Sequence, residues 1–364
     1  MDSDARSEGG SSSVSFGEKS NPRYYWHADQ YDPAMASIRL RLWQPISYLQ
    51  SVGVMIDTAG HGFDSSIHDG IIFSKSYGLS ALEMAQCAKR AGKPIIYDLC
   101  DNVFAGKASR KARIRASRIR EIMSIADYCV FTTAQLRDQI LDEVGFPIDR
   151  SIIIPDMLER FTDCEEADGG TAGHDLSRLK YFLQKNEGAL RCVWFGKSQG
   201  TKAGMVHLKK ALIALAEFSH RHPVTLTIIS NKPLLYRMLS WRWPIPHCYM
   251  QWDQSTFHYA LSMHDVALIP IEQNSYTIGK TINRPATAIM AGLGVVADAL
   301  PAYEELRPYI WLDTWREGLE YYRRCNIPMD PALKLARQHL EDSYCVSRLG
   351  EMWLNIMSKA ISRE

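Results

Sequence analysis

No stretch of this sequence approaches the roughly 20 consecutive apolar residues that cross a bilayer, so no transmembrane helix is expected. An excess of charge is missing too: 42 Lys plus Arg stand against 41 Asp plus Glu. A neutral chain has no overall field to draw it to nucleic acid, so no nucleic-acid partner is expected, and attraction to an anionic surface must come from a local patch. The eight cysteines, at 87, 100, 129, 164, 192, 248, 325 and 345, form no Cys-x-x-Cys pair. Metal-site spacing is therefore absent, and neither a metal nor another cofactor is expected. Cys129 in DYCVF and Cys192 in RCVWF read instead as buried thiols of a protein from a reducing compartment. The first 20 residues, MDSDARSEGGSSSVSFGEKS, have no apolar core of a signal peptide. They are expected to be a flexible tail on a cytoplasmic protein.

What is present is length and rhythm. A chain of 364 residues exceeds the ~100–200 of one common domain, so two domains are expected. Short apolar runs at 23–28, 54–57, 69–75, 93–99, 127–133 and 151–156 alternate with helical patterns such as LSALEMAQCAKRAG. Alternation of apolar strands with amphipathic helices marks a parallel sheet covered on both faces. Polar, Gly-rich sequence at 162–189 interrupts the rhythm, which restarts at LRCVWFG. The expected organisation is a tail over 1–20, an α/β domain over 21–160, a linker or insertion over 161–189, a second α/β domain over 190–330 and helices over 331–364. The fold class is α/β, two doubly wound parallel-sheet, Rossmann-like domains facing a cleft.

Gly279-Lys280-Thr281 resembles the end of a P-loop, but Asn274 stands where the first glycine of that motif belongs, so a P-loop is not the reading. The position still suits an anion. Open parallel sheets bind ligands at the carboxyl ends of their strands. The run 265–271 ends there, and the helix after it opens at NRPATAIMAG with Lys280, Asn283 and Arg284 at its mouth. Free N–H groups at a helix start attract anions. Gly196 ends the run 190–196 and Lys197 and Lys202 follow it at the same edge, and Asn231 ends LTIISN. Two turns thus bring glycine and cations to one sheet edge, as a diphosphate requires.

VWFGKSQGTKAG, LTIISN, MHDVALIPI and NRPATAIMAGLGVVADALPAYEEL, in that order, resemble the donor domain of GT-B glycosyltransferases, most of all the family 4, or group 1, type. The resemblance spans about residues 23–360. It implies a first domain that binds the acceptor, a second that binds a nucleotide-diphosphate sugar, and transfer of the sugar to an acceptor hydroxyl without a metal. The acceptor class implied is a glycan or a lipid-linked glycan of cell-surface polysaccharide, lipopolysaccharide or glycolipid synthesis. By the same resemblance Lys197 and Lys202 clamp the diphosphate, and Lys280, Asn283 and Arg284 fit a Lys-x-x-Asn-Arg variant. The family's two glutamates correspond to Gly279 and Thr287, neither of which is a carboxylate. A degenerate binding module and a nucleotide-sugar epimerase of the same architecture are the alternative readings.

In the first domain, Asp98 and Asp101 of DLCDN are candidates to orient an acceptor or act as general base, or else to cap a turn. His61, in TAGHGFD, is a second loop candidate. Arg110, Lys111, Arg113, Arg115 and Arg118 crowd a helix against little acid, with Ile114, Ile119 and Ile122 as an apolar stripe. That pattern fits an anionic membrane surface at the inner face, a charged acceptor, or a solvated helix. Tryptophans in LSWRWPIPHCYMQWD fit core packing or a base stack.

Overall fold

The computed structural model describes residues 21–60, 62–106, 109–145, 149–160, 170–198 and 203–362. Six parallel strands form the first sheet: β1 (Arg23–His27), β2 (Met55–Asp57), β3 (Gly70–Ser74), β4 (Ile95–Leu99), β5 (Tyr128–Phe131) and β6 (Ser151–Ile153), in the order β2-β1-β3-β4-β5-β6. Six more form the second: β7 (Leu190–Phe195), β8 (Val224–Ser230), β9 (His247–Gln251), β10 (Val266–Ile269), β11 (Gly294–Ala297) and β12 (Trp311–Leu312), in the order β12-β11-β10-β7-β8-β9. All pairings are parallel. The strand order reverses between β1 and β3 and between β7 and β10, which are the points where ligand crevices open. The expected pair of doubly wound sheets is present.

Side-chain alternation explains why both faces are covered. Tyr24 and Trp26 of β1 face one layer with Ile72, Ile96 and Val130, while Tyr25 faces the other with Ile71, Phe73, Ile95 and Tyr97. The second layer is closed by the helices Leu79–Arg90 and Arg110–Ile125, which bury Ala81, Ala85, Ile119 and Ile122. The first is closed by the helix Gln44–Ser51 and, from the far end of the chain, by Val346–Ser362. Trp353 meets Trp26 at 4.9 Å between ring centroids, and the Tyr24 hydroxyl donates to the Met357 carbonyl at 2.8 Å. The two C-terminal helices therefore divide between the domains: Pro331–Tyr344 buries Leu333, Ala336 and Leu340 in the second core, and its successor returns to the first.

Two local departures from the sequence reading have physical causes. Residues Gly170–Lys185, within the expected linker, form a helix whose Leu176, Leu179 and Leu183 enter the core of the second domain. Its Gly-rich start masked the three- and four-residue spacing of those leucines. The helical pattern over 37–53 is not one regular helix but an α-turn, a π-helical segment Arg39–Trp43, then Gln44–Ser51, with Pro45 in the first turn of the last piece. Proline at 45 has no N–H to donate, so the wider turn begins before it. Among the described residues no helix is long and apolar enough to cross a membrane.

Candidate functional site

The carboxyl ends of the two sheets face a cavity of about 460 Å³. Gly196, Lys197, Asn231, Lys280, Asn283, Arg284 and Thr287 line it from the second domain, and Lys75, Asp101 and Asp156 from the first. Those donor-side residues stand 91 positions apart at the extremes yet meet because β7, β8 and β10 lie side by side and end on one edge.

Arg284 is the centre of the second-domain wall. It sits in the first turn of the helix Asn283–Met290, with its guanidinium 5.6 Å from the centroid of the Trp194 ring. A Cβ at Gly196 would lie 2.8 Å from Arg284 Nη2, and φ there is +147°. Glycine at 196 thus meets both a backbone and a space requirement. Among the described residues no carboxylate pairs with Arg284. Burial pulls its pKa below the ordinary arginine value. A desolvated cation without a counter-ion, at the positive end of a helix, is poised for an anion. Lys197 reaches the same cavity from the exposed turn after β7.

Lys280 is held differently. Its ammonium donates to Asp101 and, at 3.2 Å, to the Tyr276 hydroxyl, and it stands 4.3 Å from the centroid of the Tyr276 ring. Asp101 also accepts from Lys75 at 2.5 Å. Burial would raise the Asp101 pKa, but Lys280 and Lys75 outweigh it and hold the carboxyl well below the usual range. So acidic a carboxylate is a poor general base; what it does in this geometry is gather two lysines. Lys75 itself has φ +55°, a strained conformation for a residue with a Cβ, at the end of β3.

Asp98, expected beside Asp101 as a catalytic carboxylate, is elsewhere. It is 1% exposed and is held by Arg41 and by the Ser74 hydroxyl at 2.7 Å, inside the first domain. Strand alternation is the reason: Asp98 lies within β4, whereas Asp101 lies beyond its end. Arg41 comes from the π-helical segment, is 1% exposed, and also donates to the carbonyls of Ile154 and Pro155. Its Nε lies 3.5 Å from Asp156. Asp156 in turn accepts from Asn283 Nδ2 at 2.6 Å and Thr281 Oγ1 at 3.0 Å across the domain boundary. Asn283, on the cavity wall, is thus tied through its amide to the neighbouring domain. The sequence reading missed Lys75, Arg41 and Asp156, which lie in no motif and acquire roles only through partners far along the chain.

The loop before Asn283–Met290 is fastened to the first domain at further points. The Ser275 carbonyl accepts from Asn102 at 2.9 Å and Gln139 at 3.2 Å, and the Gly279 carbonyl accepts from Thr133 at 3.2 Å. A Cβ at Gly279 would lie 2.9 Å from Gln139 Oε1 and 3.2 Å from Leu136 Cα. The absent side chain at 279 is what lets the loop dock. Thr287 is buried at the cavity wall, and among the described residues the buried Asn231 Oδ1 has no hydrogen-bond partner. Trp252 also lines the cavity, beneath the Arg39 guanidinium at 5.4 Å, whereas Trp241 of the same aromatic run is exposed.

His61 and Lys202 lie outside the described residues. In the basic helix Arg110–Ile125, Ile119 and Ile122 are buried, so of the expected apolar stripe Ile114 alone is exposed. Cys129 and Cys192 are buried free thiols, with burial pushing the Cys129 thiol up to about 12. Among the described residues no cluster of three or more His, Cys, Asp or Glu has a metal-holding arrangement.

No family model and no curated protein matches this sequence. Solved structures do. HepE from Anabaena, in complex with UDP and glucose, shares 12% identity, with 93% of this chain and 100% of that chain covered at a TM-score of 0.61. An α,α-trehalose 6-phosphate synthase from Burkholderia multivorans shares 10%, with 95% and 100% covered at 0.62. OtsA in its apo form shares 12%, with 93% and 99% covered at 0.63. At such identities the likeness is one of fold, and that fold is GT-B, as the sequence resemblance implied.

Proposed function

We propose that this protein is a glycosyltransferase that moves a sugar from a nucleotide-diphosphate sugar to an acceptor hydroxyl. The observation that carries the reading is Arg284, a desolvated guanidinium with no carboxylate partner among the described residues, at the mouth of a helix and of a parallel sheet. Breaking the anomeric C–O bond leaves negative charge on the departing diphosphate, and fixed positive groups lower that barrier. Arg284, Lys197 and the amides of Asn283–Met290 supply them. Lys280 adds a third cation once the diphosphate competes with Asp101 for it. The unpartnered Asn231 Oδ1 accepts from a ribose hydroxyl or a base N–H, and Trp252 offers a face for stacking. The acceptor, a glycan or a lipid-linked glycan, enters from the first-domain side, where Lys75 and Asp101 stand. Fold neighbours crystallised with UDP support the choice of donor.

Thermal shift with UDP, GDP and CMP tests the clamp. One nucleotide stabilises the wild type, and Arg284→Ala weakens its binding by about 10- to 100-fold, the worth of a charge-assisted hydrogen-bond pair. Equal stabilisation of wild type and variant would sink the clamp. Release of nucleotide from a panel of nucleotide sugars, with soluble and lipid-linked acceptors present, then separates a transferase from a module that only binds.

A further inference from the structure

We infer that the acceptor carries an anionic group, a phosphate or its like, seated in a basic groove beside the donor cleft. The inference rests on the transferase reading above. A second cavity, of about 940 Å³, lies along the start of the helix Arg110–Ile125. Arg110, Lys111, Arg115 and Arg118 line it together with Lys75. Lys75 and Met35 line the donor cleft as well, so the two cavities share a wall. A molecule lying in the groove reaches the cleft at Lys75, whose ammonium is 2.5 Å from Asp101.

The charge arrangement makes an anion the fitting occupant. Arg110 and Lys111 stand in the first turn of their helix with no acidic residue beside them, where the helix dipole opposes cations. Lys111 with Arg115 and Arg115 with Arg118 are like-charge neighbours at helical spacings that repel. Among the described residues none of the four arginine and lysine side chains of this helix that line the groove has a carboxylate partner. Arg115 rests instead 5.5 Å from the centroid of the Tyr77 ring. The acid on the groove wall, Asp29, is occupied by the backbone amides of Tyr77 at 2.8 Å and Gly78 at 3.2 Å. Repulsion among the four helix cations costs the free protein stability, and a bound anion offsets it. A docked membrane is the weaker occupant, because Ile119 and Ile122 are buried in the core and leave the helix one exposed isoleucine to insert.

The test uses the full chain saturated with UDP, so that the donor clamp is filled. Calorimetric titration with glucose 6-phosphate, glucose and inorganic phosphate is expected to show phosphate-dependent binding that weakens as salt is raised. Arg110→Ala/Arg115→Ala weakens it roughly tenfold or more, while Arg113→Ala, on the same helix but off the groove wall, does not. Flotation with vesicles containing phosphatidylglycerol separates the sources: binding lost in Arg110→Ala/Arg115→Ala and kept in Arg113→Ala assigns the anion to a lipid headgroup. If neither phosphate probes nor vesicles bind in a manner that depends on Arg110 and Arg115, the inference is overturned. Nucleotide binding that persists in that case leaves the donor site standing; failure of UDP, GDP and CMP alike to bind the wild type overturns the donor reading itself.

Discussion

Replacing Asp101 by Asn removes one charge and leaves two lysines from different domains facing each other. In the wild type the Asp101 carboxylate accepts from Lys75 and Lys280, with the three side chains between 16% and 29% exposed. Breaking a fully buried ion pair costs ~3–5 kcal/mol; partial exposure screens the charges and reduces this to roughly 2 kcal/mol. In a chain of 364 residues that corresponds to a fall in Tm of about 2–4 °C. The second half of the prediction is linkage. A nucleoside diphosphate supplies the counter-charge that Asn does not, so UDP is expected to raise the Tm of Asp101→Asn more than that of the wild type. Scanning calorimetry with and without UDP reads both effects. An unchanged apo Tm, or a smaller UDP-induced rise in the variant, would refute the idea that Asp101 and the donor compete for Lys280.

Two other predictions concern the fold. Gly350 lies against Tyr48, and a Cβ there would sit 2.1 Å from Tyr48 Cδ1, so Gly350→Ala is expected to lose about 1–3 kcal/mol in urea denaturation by parting the last helix from the first domain. His264 is buried, with Nδ1–H donating to the Ala260 carbonyl at 2.8 Å and Nε2 accepting from Thr227 at 2.7 Å, and burial lowers its pKa to about 4. The unfolded chain takes up that proton near pH 6.5, so stability is full above this value and falls by roughly 3 kcal/mol as pH drops toward 4. His264→Gln should flatten the Tm profile over that window; an unaltered slope would show that other groups set it.

The alternation of apolar strands with amphipathic helices was legible because sheet and helix periods are properties of neighbouring residues. Gly196 and Arg284 were legible for a related reason, since strand ends of a parallel sheet share one edge. DLCDN shows where such reading stopped. Asp98 and Asp101 look equivalent on the page, but one falls inside β4 and pairs with Arg41, while the other falls past its end into the cleft. The pattern at 170–185 was hidden by glycines ahead of it, and the destination of Val346–Ser362 by the absence of any local mark of which core it joins.

The sequence by itself determined two parallel sheets and a concentration of cations at the carboxyl edge of the second. Tertiary structure decided how those cations are used. Lys280 meets Asp101 across 179 positions, and Asn283 meets Asp156 across 127. Gly279 became a docking point because Gln139 and Leu136 stand against it. Among the described residues Arg284 was left with no carboxylate while Lys280 was given one. Hydrophobic periodicity is written within a few residues of chain, whereas the pairing of a buried charge depends on what the folded chain brings within a few ångströms of it.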